Sequence, residues 1–428
     1  MTNIVIVGAG WAGCAAAVAA AKQGAGVTLL ERTDMILGTG LAGGILRNNG
    51  RLTASLELEA LGGGDLLEAI NPVLRHRNIS FPGHDHADLY DIALAPGAIL
   101  ACLRDCGVTL RTQVRITKAA MSRDHTAIES VTDSQGTVWP GDAFIDTTGS
   151  AGPTANCARW GNGCAMCVLR CPSFGGRVSL AALAGVREMA AGRPDGGSGA
   201  MSGSCKLMKG SLAPELVRRL DETGVAVIPL PPKLREDHLA LKACQQYALP
   251  EFAENLILLD TGHAKMMAPF FPIDKLHMIP GLENARYEDP YAGGRGNSVR
   301  FLAMCPRSDD LKVNGLDNLY CAGEKAGPLV GHTEAMVTGT LAGYNCAAAL
   351  AGKPALILPR SLASGEAVAW TGEKMSAQSS LARKFTFSGG CLFDRMRELG
   401  LYLTSAGDVR KRVRALGLEG IVSGKSAR

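Results

Sequence analysis

The chain is poor in aromatic residues, which make up 5% of its 428 positions, and poor in net charge, with 44 Lys and Arg against 40 Asp and Glu for a formal +4. So small a surplus does not by itself supply the field that draws in a polyanion. Long hydrophobic runs are missing as well. The longest charge-free stretch of mostly small residues, Trp11 to Ala21, is too short to span a bilayer, and its Ala and Gly content suits a helix packed closely on a sheet. No basic region with a small-residue cleavage site opens the chain, so the expectation is a cytoplasmic protein without a secretory leader or membrane segment. Internal repeats and a collagen-like period are absent too. In that setting the 13 cysteines are expected mostly as reduced thiols, because an odd count at irregular spacing is no disulfide framework.

What the chain has in quantity is glycine, 53 residues, beside a hydrophobic content of 46%. The length predicts two or three packed units, and the glycine predicts tight turns and close backbone approaches, as in α/β proteins that cradle an extended ligand. The first motif fits that picture. The apolar run Asn3 to Val7 leads into Gly8-Ala9-Gly10-Trp11-Ala12-Gly13 and an Ala-rich helical stretch ending near Gln23-Gly24, and a second apolar run, Val27 to Leu30, ends in Glu31. This reads as a βαβ unit that binds a dinucleotide. The first glycine permits the turn, the second lets the backbone approach a pyrophosphate, the third lets helix and strand pack, and the helix amides receive the phosphates. Glu31 is placed to accept from the ribose hydroxyls and would repel a 2′-phosphate, which favours FAD or NAD over NADP.

A second glycine-rich loop, Gly38 to Gly44, follows directly, as a long ligand crossing the sheet edge would require. Residues 86–112 read as helix then strand, and 114–145 as a hairpin around Ser134-Gln135-Gly136, with Val114 at its start. The buried run Ala143 to Asp146 stops at Thr147-Thr148-Gly149, a natural second rim for the same nucleotide. Strands are expected again at Ser298 to Phe301 and Asn318 to Glu324, then an Ala-rich helix over 334–350. No second fingerprint for a nicotinamide nucleotide appears. The electron donor is left open among a protein, a thiol and free NAD(P)H.

Three of these segments, Gly8-Ala9-Gly10-Trp11-Ala12-Gly13 to Glu31-Arg32, Ile145 to Gly149, and Leu319-Tyr320-Cys321-Ala322-Gly323-Glu324, resemble the FAD contacts of the two-dinucleotide-binding-domain flavoproteins of glutathione-reductase type. Two more, Met278 to Ala285 and Gly331-His332-Thr333-Glu334-Ala335 with Gly339 to Asn345, resemble the glucose-inhibited-division protein A group, especially the folate- and FAD-dependent tRNA uracil-5-methyltransferases. Residues 84–149 are similar to a broader FAD-dependent oxidoreductase family that includes the flavin subunit of heterodisulfide reductase. The resemblance implies extended FAD with Gly8, Gly10, Gly13 and Gly323 at the pyrophosphate, Glu31 on the adenosine ribose and Glu324 on the ribityl chain. It further implies Gly331, His332, Thr333 and Ala335 at the edge of the flavin where negative charge collects on reduction. Trp11, Ala12, Arg32, Gly43, Gly44, Val114, Thr148 and Gly149 complete the expected cofactor contacts. One departure matters: those methyltransferases carry a cysteine in the loop after the first βαβ unit, and Gly40 to Ile45 contains none.

The densest chemistry is Cys164-Ala165-Met166-Cys167-Val168-Leu169-Arg170-Cys171-Pro172, with Cys157 upstream. Three readings stand side by side. Cys164 and Cys167 have dithiol spacing, with Arg159 and Arg170 available to favour a thiolate. With Cys157 recruited for the cysteine missing from the usual spacing, the same run resembles an iron–sulfur ligand set, or a zinc site on the same four residues. Finally, small buried thiols merely pack. His332 is a candidate proton donor beside the ring, Lys325 and Arg300 are candidate anion partners, His263 and Lys265 are expected in a loop, and His84-Asp85-His86 has metal-like composition without further ligands.

The expected fold is α/β. A Rossmann-like FAD-binding domain spans 1–152 and 296–352, an inserted α+β substrate domain with the cysteines spans 153–295, and 353–428 form a helical C-terminal cap or oligomerisation element. The expected activity is an FAD-dependent oxidoreductase acting between a small-molecule or thiol substrate and a second acceptor, with Cys164, Cys167, Cys171 and His332 as catalytic candidates, no dedicated metal residues and a homo-oligomeric assembly. The alternatives are a tRNA-modifying flavoenzyme, for which the basic tail Arg383 to Arg414 is the nucleic-acid candidate, and a flavin-binding assembly or sensor subunit.

Overall fold

The computed structural model describes residues 2–149, 171–190, 200–201, 205–237, 239–241, 245–268, 271–288, 299–300, 303–376 and 384–424. The β-branched run Asn3–Val7 becomes the middle strand of a five-stranded sheet in the order Leu319–Cys321, Ala143–Asp146, Asn3–Val7, Gly26–Leu30, Thr109–Arg111. All four pairings are parallel. The inner strands are apolar nearly throughout, as a parallel sheet covered on both faces requires. Register then decides what the strand ends can do. Val7 pairs with Asp146 on one side and Leu30 on the other, and Asp146 pairs with Cys321, so four strands end in one row.

Helix Trp11–Lys22 leaves the first strand through the glycine turn and lies against helix His332–Leu350. Both are built from small residues and buried on almost every side. A Cβ on Gly339 would fall 2.3 Å from the Ala12 carbonyl oxygen, and one on Gly343 2.2 Å from that of Ala16. The two backbones therefore touch, which only glycine at those positions allows.

Around this centre lie antiparallel pieces. Ile116–Met121, Ile128–Asp133 and Val138–Pro140 form a meander that contains the hairpin at Ser134 to Gly136. A strand, His84–Tyr90, precedes helix Ala95–Asp105 and pairs with Leu74–Phe81 and Ile45–Arg47, where the sequence suggested only helix then strand. The inserted region forms a four-stranded sheet in the order Cys205–Leu207, Ala264–Met266, Asn255–Asp260, Val225–Pro229, with a core that includes Leu207, Leu220, Leu258 and Phe271. It is fastened to the hairpin next door through Ile45, Phe81, Leu89, Val225, Ile257 and Leu259.

One expected strand falls elsewhere. Val299–Arg300 pairs with Ala200–Met201, and Ala303–Met304 with Met189–Ala190, so the chain rejoins the parallel sheet only at Leu319. Two-residue ribbons hold too few side chains for periodicity to name their partner. The C-terminal part carries helices Ala363–Ser376, Gly390–Glu398 and Ala406–Ala415, yet its segment 384–388 is buried, with Phe385 and Phe387 packed among Leu329, Val337, Leu392 and Met396. Among the described residues no helix is long and apolar enough to cross a membrane.

Replacing Gly343 by Ala drives a methyl into the Ala16 carbonyl and is expected to cost about 1–3 kcal/mol. Replacing Gly97, exposed in helix Ala95–Asp105 with nothing within 4 Å of its Cβ position, should be neutral or stabilising by up to about 1 kcal/mol. Denaturant midpoints of the two variants test the contrast; equal effects would contradict the close helix contact.

Candidate functional site

At the row of strand ends the three glycines separate by task. Gly8 sits at φ 104 and its N–H donates to the Leu30 carbonyl at 2.7 Å; a Cβ there would lie 2.6 Å from the Thr147 carbonyl oxygen. A Cβ on Gly13 would lie 1.9 Å from the Gly8 oxygen. Gly10, by contrast, has nothing within 4 Å of its Cβ position, so the second glycine faces open space at the start of helix Trp11–Lys22. Gly323, at φ 65, would place a Cβ 3.0 Å from Ala12, and its N–H donates to Thr338 Oγ1 at 2.9 Å. The turn after the first strand and the turn after Cys321 therefore meet across Ala12. Thr147 Oγ1, close to both the Val7 and Gly8 carbonyls at 2.9 and 2.5 Å, ties the middle rim to the first.

Glu31 is buried and already organised. Its carboxylate accepts from Ala9 N–H and Thr33 N–H, each at 2.8 Å, and from Thr33 Oγ1 at 3.1 Å. Of roughly four acceptor positions on a carboxylate, about one is left for a hydroxyl donor. Val114 N–H donates to the Glu31 carbonyl at 2.9 Å, and Arg32 Nη1 donates to the Gly175 carbonyl. Thr148 is held by Asp146, whose Oδ1 accepts from its N–H at 3.0 Å and its hydroxyl at 2.8 Å, and Gly149 follows at φ 70 with open space around it.

Next to the strand-end turns lies an aromatic group. Trp11, Tyr90 and His332 form a triangle of rings with centroids 5.6–5.8 Å apart. Tyr90 donates its hydroxyl to the Gly40 carbonyl at 2.7 Å, while the Trp11 indole Nε1 is buried without a hydrogen-bond partner among the described residues. His332 opens helix His332–Leu350 after Gly331, which sits at φ 140. Its Nδ1 lies 2.8 Å from the Ile45 carbonyl, which can only accept, so Nδ1 carries the proton and Nε2 is the basic nitrogen of the neutral ring. A Cβ on Gly43 would fall 2.2 Å from that Nε2, and one on Gly44 2.3 Å from Thr261. Thr333 bonds the Leu46 carbonyl at 3.2 Å, and Ala335 N–H makes the helix bond to Gly331 at 3.1 Å. The first N–H groups of a helix have no partner within it, and such a start favours an anion in front of it.

Several neighbours of this end were not read as site residues. Lys265 is buried in strand Ala264–Met266, not in an exposed loop, and donates to the Ala42 carbonyl at 2.8 Å. Its loop-like setting, Asp260-Thr261-Gly262-His263, hid the strand. His263 pairs with Glu288 at 2.7 Å instead. Arg51 forms a buried ion pair with Glu334 at 3.0 Å and donates to the Val330 carbonyl at 3.1 Å, a contact across 279 residues that no local pattern announces.

The cysteine candidates Cys157, Cys164 and Cys167 lie outside the described residues, and Cys171 begins the short helix Cys171–Phe174. Among the described residues, Asp146, Glu188 and Cys305 come close enough to hold a metal, but the ammonium of Lys325 is already there. It is fully buried, donates to Ser179 Oγ at 2.9 Å, contacts Glu188 and lies 3.9 Å from Asp146. Burial pulls Lys325 down to about 7 against the opposing pull of Asp146. The Cys305 thiol is raised by its hydrogen-bonded neighbour Cys321 and by burial, so it stays a thiol. Arg300 has a described backbone strand only, paired with Ala200 rather than within the parallel sheet.

His84, Asp85 and His86 do not converge. His84 is buried, with Nε2 donating to the Gln246 carbonyl at 2.8 Å and Nδ1 accepting from Asn48 at 2.8 Å, whereas His86, at φ 56, bonds Asn78. Burial lowers His84 to about 4, with Arg51 adding to the effect. The basic tail is largely paired as well: Arg395 binds Glu366 at 2.5 Å, Arg414 binds Glu419 at 2.6 Å, and Arg412 caps the Gly400 carbonyl at 2.9 Å.

Residues 3–156 match the FAD dependent oxidoreductase family, and residues 268–354 match the glucose inhibited division protein A family. Among solved structures, GidA of Aquifex aeolicus in its form II crystal superposes with a TM-score of 0.63 at 16% identity, over 99% of this chain and 74% of that one. Its form I crystal gives 0.60 at 15% identity, over 99% and 76%. At such identities the likeness is one of fold. No curated protein matches the sequence significantly.

Because His84 is neutral when folded and takes a proton when unfolded below its ordinary value of 6.5, its contribution is present above pH 6.5 and lost as the pH falls toward 4. The stability gap between the native protein and His84→Gln should shrink by up to about 3 kcal/mol over that window. Urea unfolding at pH 7, 5.5 and 4 measures it, and a gap independent of pH would refute the buried neutral ring.

Proposed function

From the premise that the chain is an FAD-dependent oxidoreductase on a GidA-type fold, we propose that it moves a hydride or electron pair between a small-molecule or thiol substrate and a second acceptor. The observation that supports this most is the single row of strand ends, with the Gly8 and Gly323 turns meeting across Ala12 and Gly10 open beside them. In this reading Gly8, Gly10, Gly13 and Gly323 hold the pyrophosphate, Glu31 the adenosine ribose and Glu324 the ribityl chain. Arg32, Val114, Thr148 and Gly149 complete the nucleotide end, and Gly43, Gly44 and residues 331–335 flank the ring. The residues fit: two glycines fill contacts no side chain could share, the third leaves room, and a preformed carboxylate keeps an acceptor.

FAD, when bound, supplies the two-electron chemistry. The chain's own part is to hold and to place protons. The start of helix His332–Leu350 favours negative charge in front of it. His332 keeps one proton at Nδ1 on the Ile45 carbonyl and takes or gives a second at Nε2. Trp11 and Tyr90, both buried, pack their rings against the His332 imidazole. Cys157, Cys164, Cys167 and Cys171 are assigned to thiol chemistry with the substrate, the alternative being a cluster or zinc on the same four sulfurs. The proposed assembly is a homo-oligomer. A second reading, RNA modification, draws on the match of residues 268–354 to the GidA family; co-purifying RNA whose binding falls steeply with salt would favour it, and the paired tail arginines weigh against it.

The purified full-length protein should carry flavin absorbance bands, with broad extra visible absorbance if a cluster is present. Glu31→Gln should raise the FAD dissociation constant roughly 10- to 100-fold, from the loss of a hydrogen bond to a charged group. Fluorescence titration of the flavin-stripped protein reads this. A colourless protein that binds no FAD would end the proposal.

A further inference from the structure

The C-terminal segment Lys384 to Ser388 does not cap the molecule from outside; it is built into the wall around residues 324–334. Phe385 pairs with the strap before the long helix, its N–H donating to the Pro328 carbonyl at 2.6 Å and its carbonyl accepting from Val330 N–H at 3.0 Å. Thr386 Oγ1 and Phe387 N–H both bond Glu334 Oε1, at 2.7 and 2.9 Å. Asn49 donates to the Ser388 carbonyl at 2.9 Å. These bonds leave Lys384 2% exposed, with its ammonium 4.0 Å from Glu324 Oε2.

The charges in this wall alternate. Two carboxylates, Glu324 and Glu334, lie on the strand-end turn and in the first turn of helix His332–Leu350. Each has a buried cation brought from far along the chain, Lys384 for the first and Arg51 for the second. In a low-dielectric wall an uncompensated carboxylate would oppose any negative charge arising before the helix start, and the matched cation removes that opposition.

We propose that Lys384 is a positioning residue of the cofactor site: its buried ammonium faces the Glu324 carboxylate at 4.0 Å and offsets its charge, so that cofactor retention and reduction potential depend on a residue of the C-terminal segment. This rests on the reading of FAD given above. The test uses the full-length protein as Lys384→Met, Lys384→Arg and Glu324→Gln, with the FAD dissociation constant, the flavin midpoint potential and the melting temperature measured for each. Lys384→Met should weaken FAD binding about tenfold and move the potential to more negative values, because a positive charge facing Glu324 is lost. Lys384→Arg should restore both. Glu324→Gln also weakens binding but moves the potential the other way, since the lysine charge is then in excess; it stays measurable if Lys384→Met fails to fold. Potentials that do not move, or that move in the same direction in both charge-removing variants, overturn the proposal, as does a Lys384→Arg variant that melts like the native protein yet behaves like Lys384→Met. A native protein that binds no FAD overturns the functional reading itself, whereas FAD binding with unmoved variants defeats the Lys384 assignment alone.

Discussion

The contact of helix Trp11–Lys22 with helix His332–Leu350, backbone against backbone, is what the rest of the molecule depends on. Gly339 and Gly343 let the second helix come down onto the carbonyls of Ala12 and Ala16. That approach brings two turns 323 residues apart in the sequence, at Gly8 and Gly331, close enough for the Trp11 and His332 rings to meet at 5.7 Å. A bulkier pair of helices would bury more apolar area but hold the two turns apart. Here geometry outranks packing area, and the Ala and Gly content of both helices is its signature.

Where residue type encodes a backbone requirement, the sequence was legible. Gly8, Gly13 and Gly323 could be assigned because a positive φ or a close approach leaves few alternatives, and the parallel sheet followed from short apolar runs ending at those glycines. Glu31 closes a buried strand, and the fold shows its carboxylate bound by the Ala9 and Thr33 amides; its place on a ribose belongs to the proposal. What was not legible came from pairing at long range. Lys265 looked like a loop residue because its strand is three residues long, and Val299–Arg300 looked like sheet because nothing local names a strand's neighbour. Arg51, Tyr90 and Lys384 carry no motif at all; only the folded chain sets them beside residues 324–334 and the Gly40 loop.

Charge is handled by the same logic throughout. The modest net charge of the chain hides several buried ions, each met by a partner from a distant element: Arg51 by Glu334, Lys325 by Asp146 and Glu188. Such pairs contribute little net stability because desolvation offsets their attraction, but removing one partner is costly, so they fix which elements sit together. Lys325 does this for residues 179–188, holding the stretch that follows the cysteines against the ends of two sheet strands.

The wall formed by Thr386 and Phe387 on Glu334 also has a temporal side. On a ribosome, the sheet and both glycine turns emerge long before that wall does, and Glu334 lacks those two bonds until the last tenth of the polypeptide has left the exit tunnel. Translation products stopped short of that stretch would lack the Thr386 and Phe387 bonds that hold Glu334, so the Arg51–Glu334 pair reaches its final setting only in the released chain.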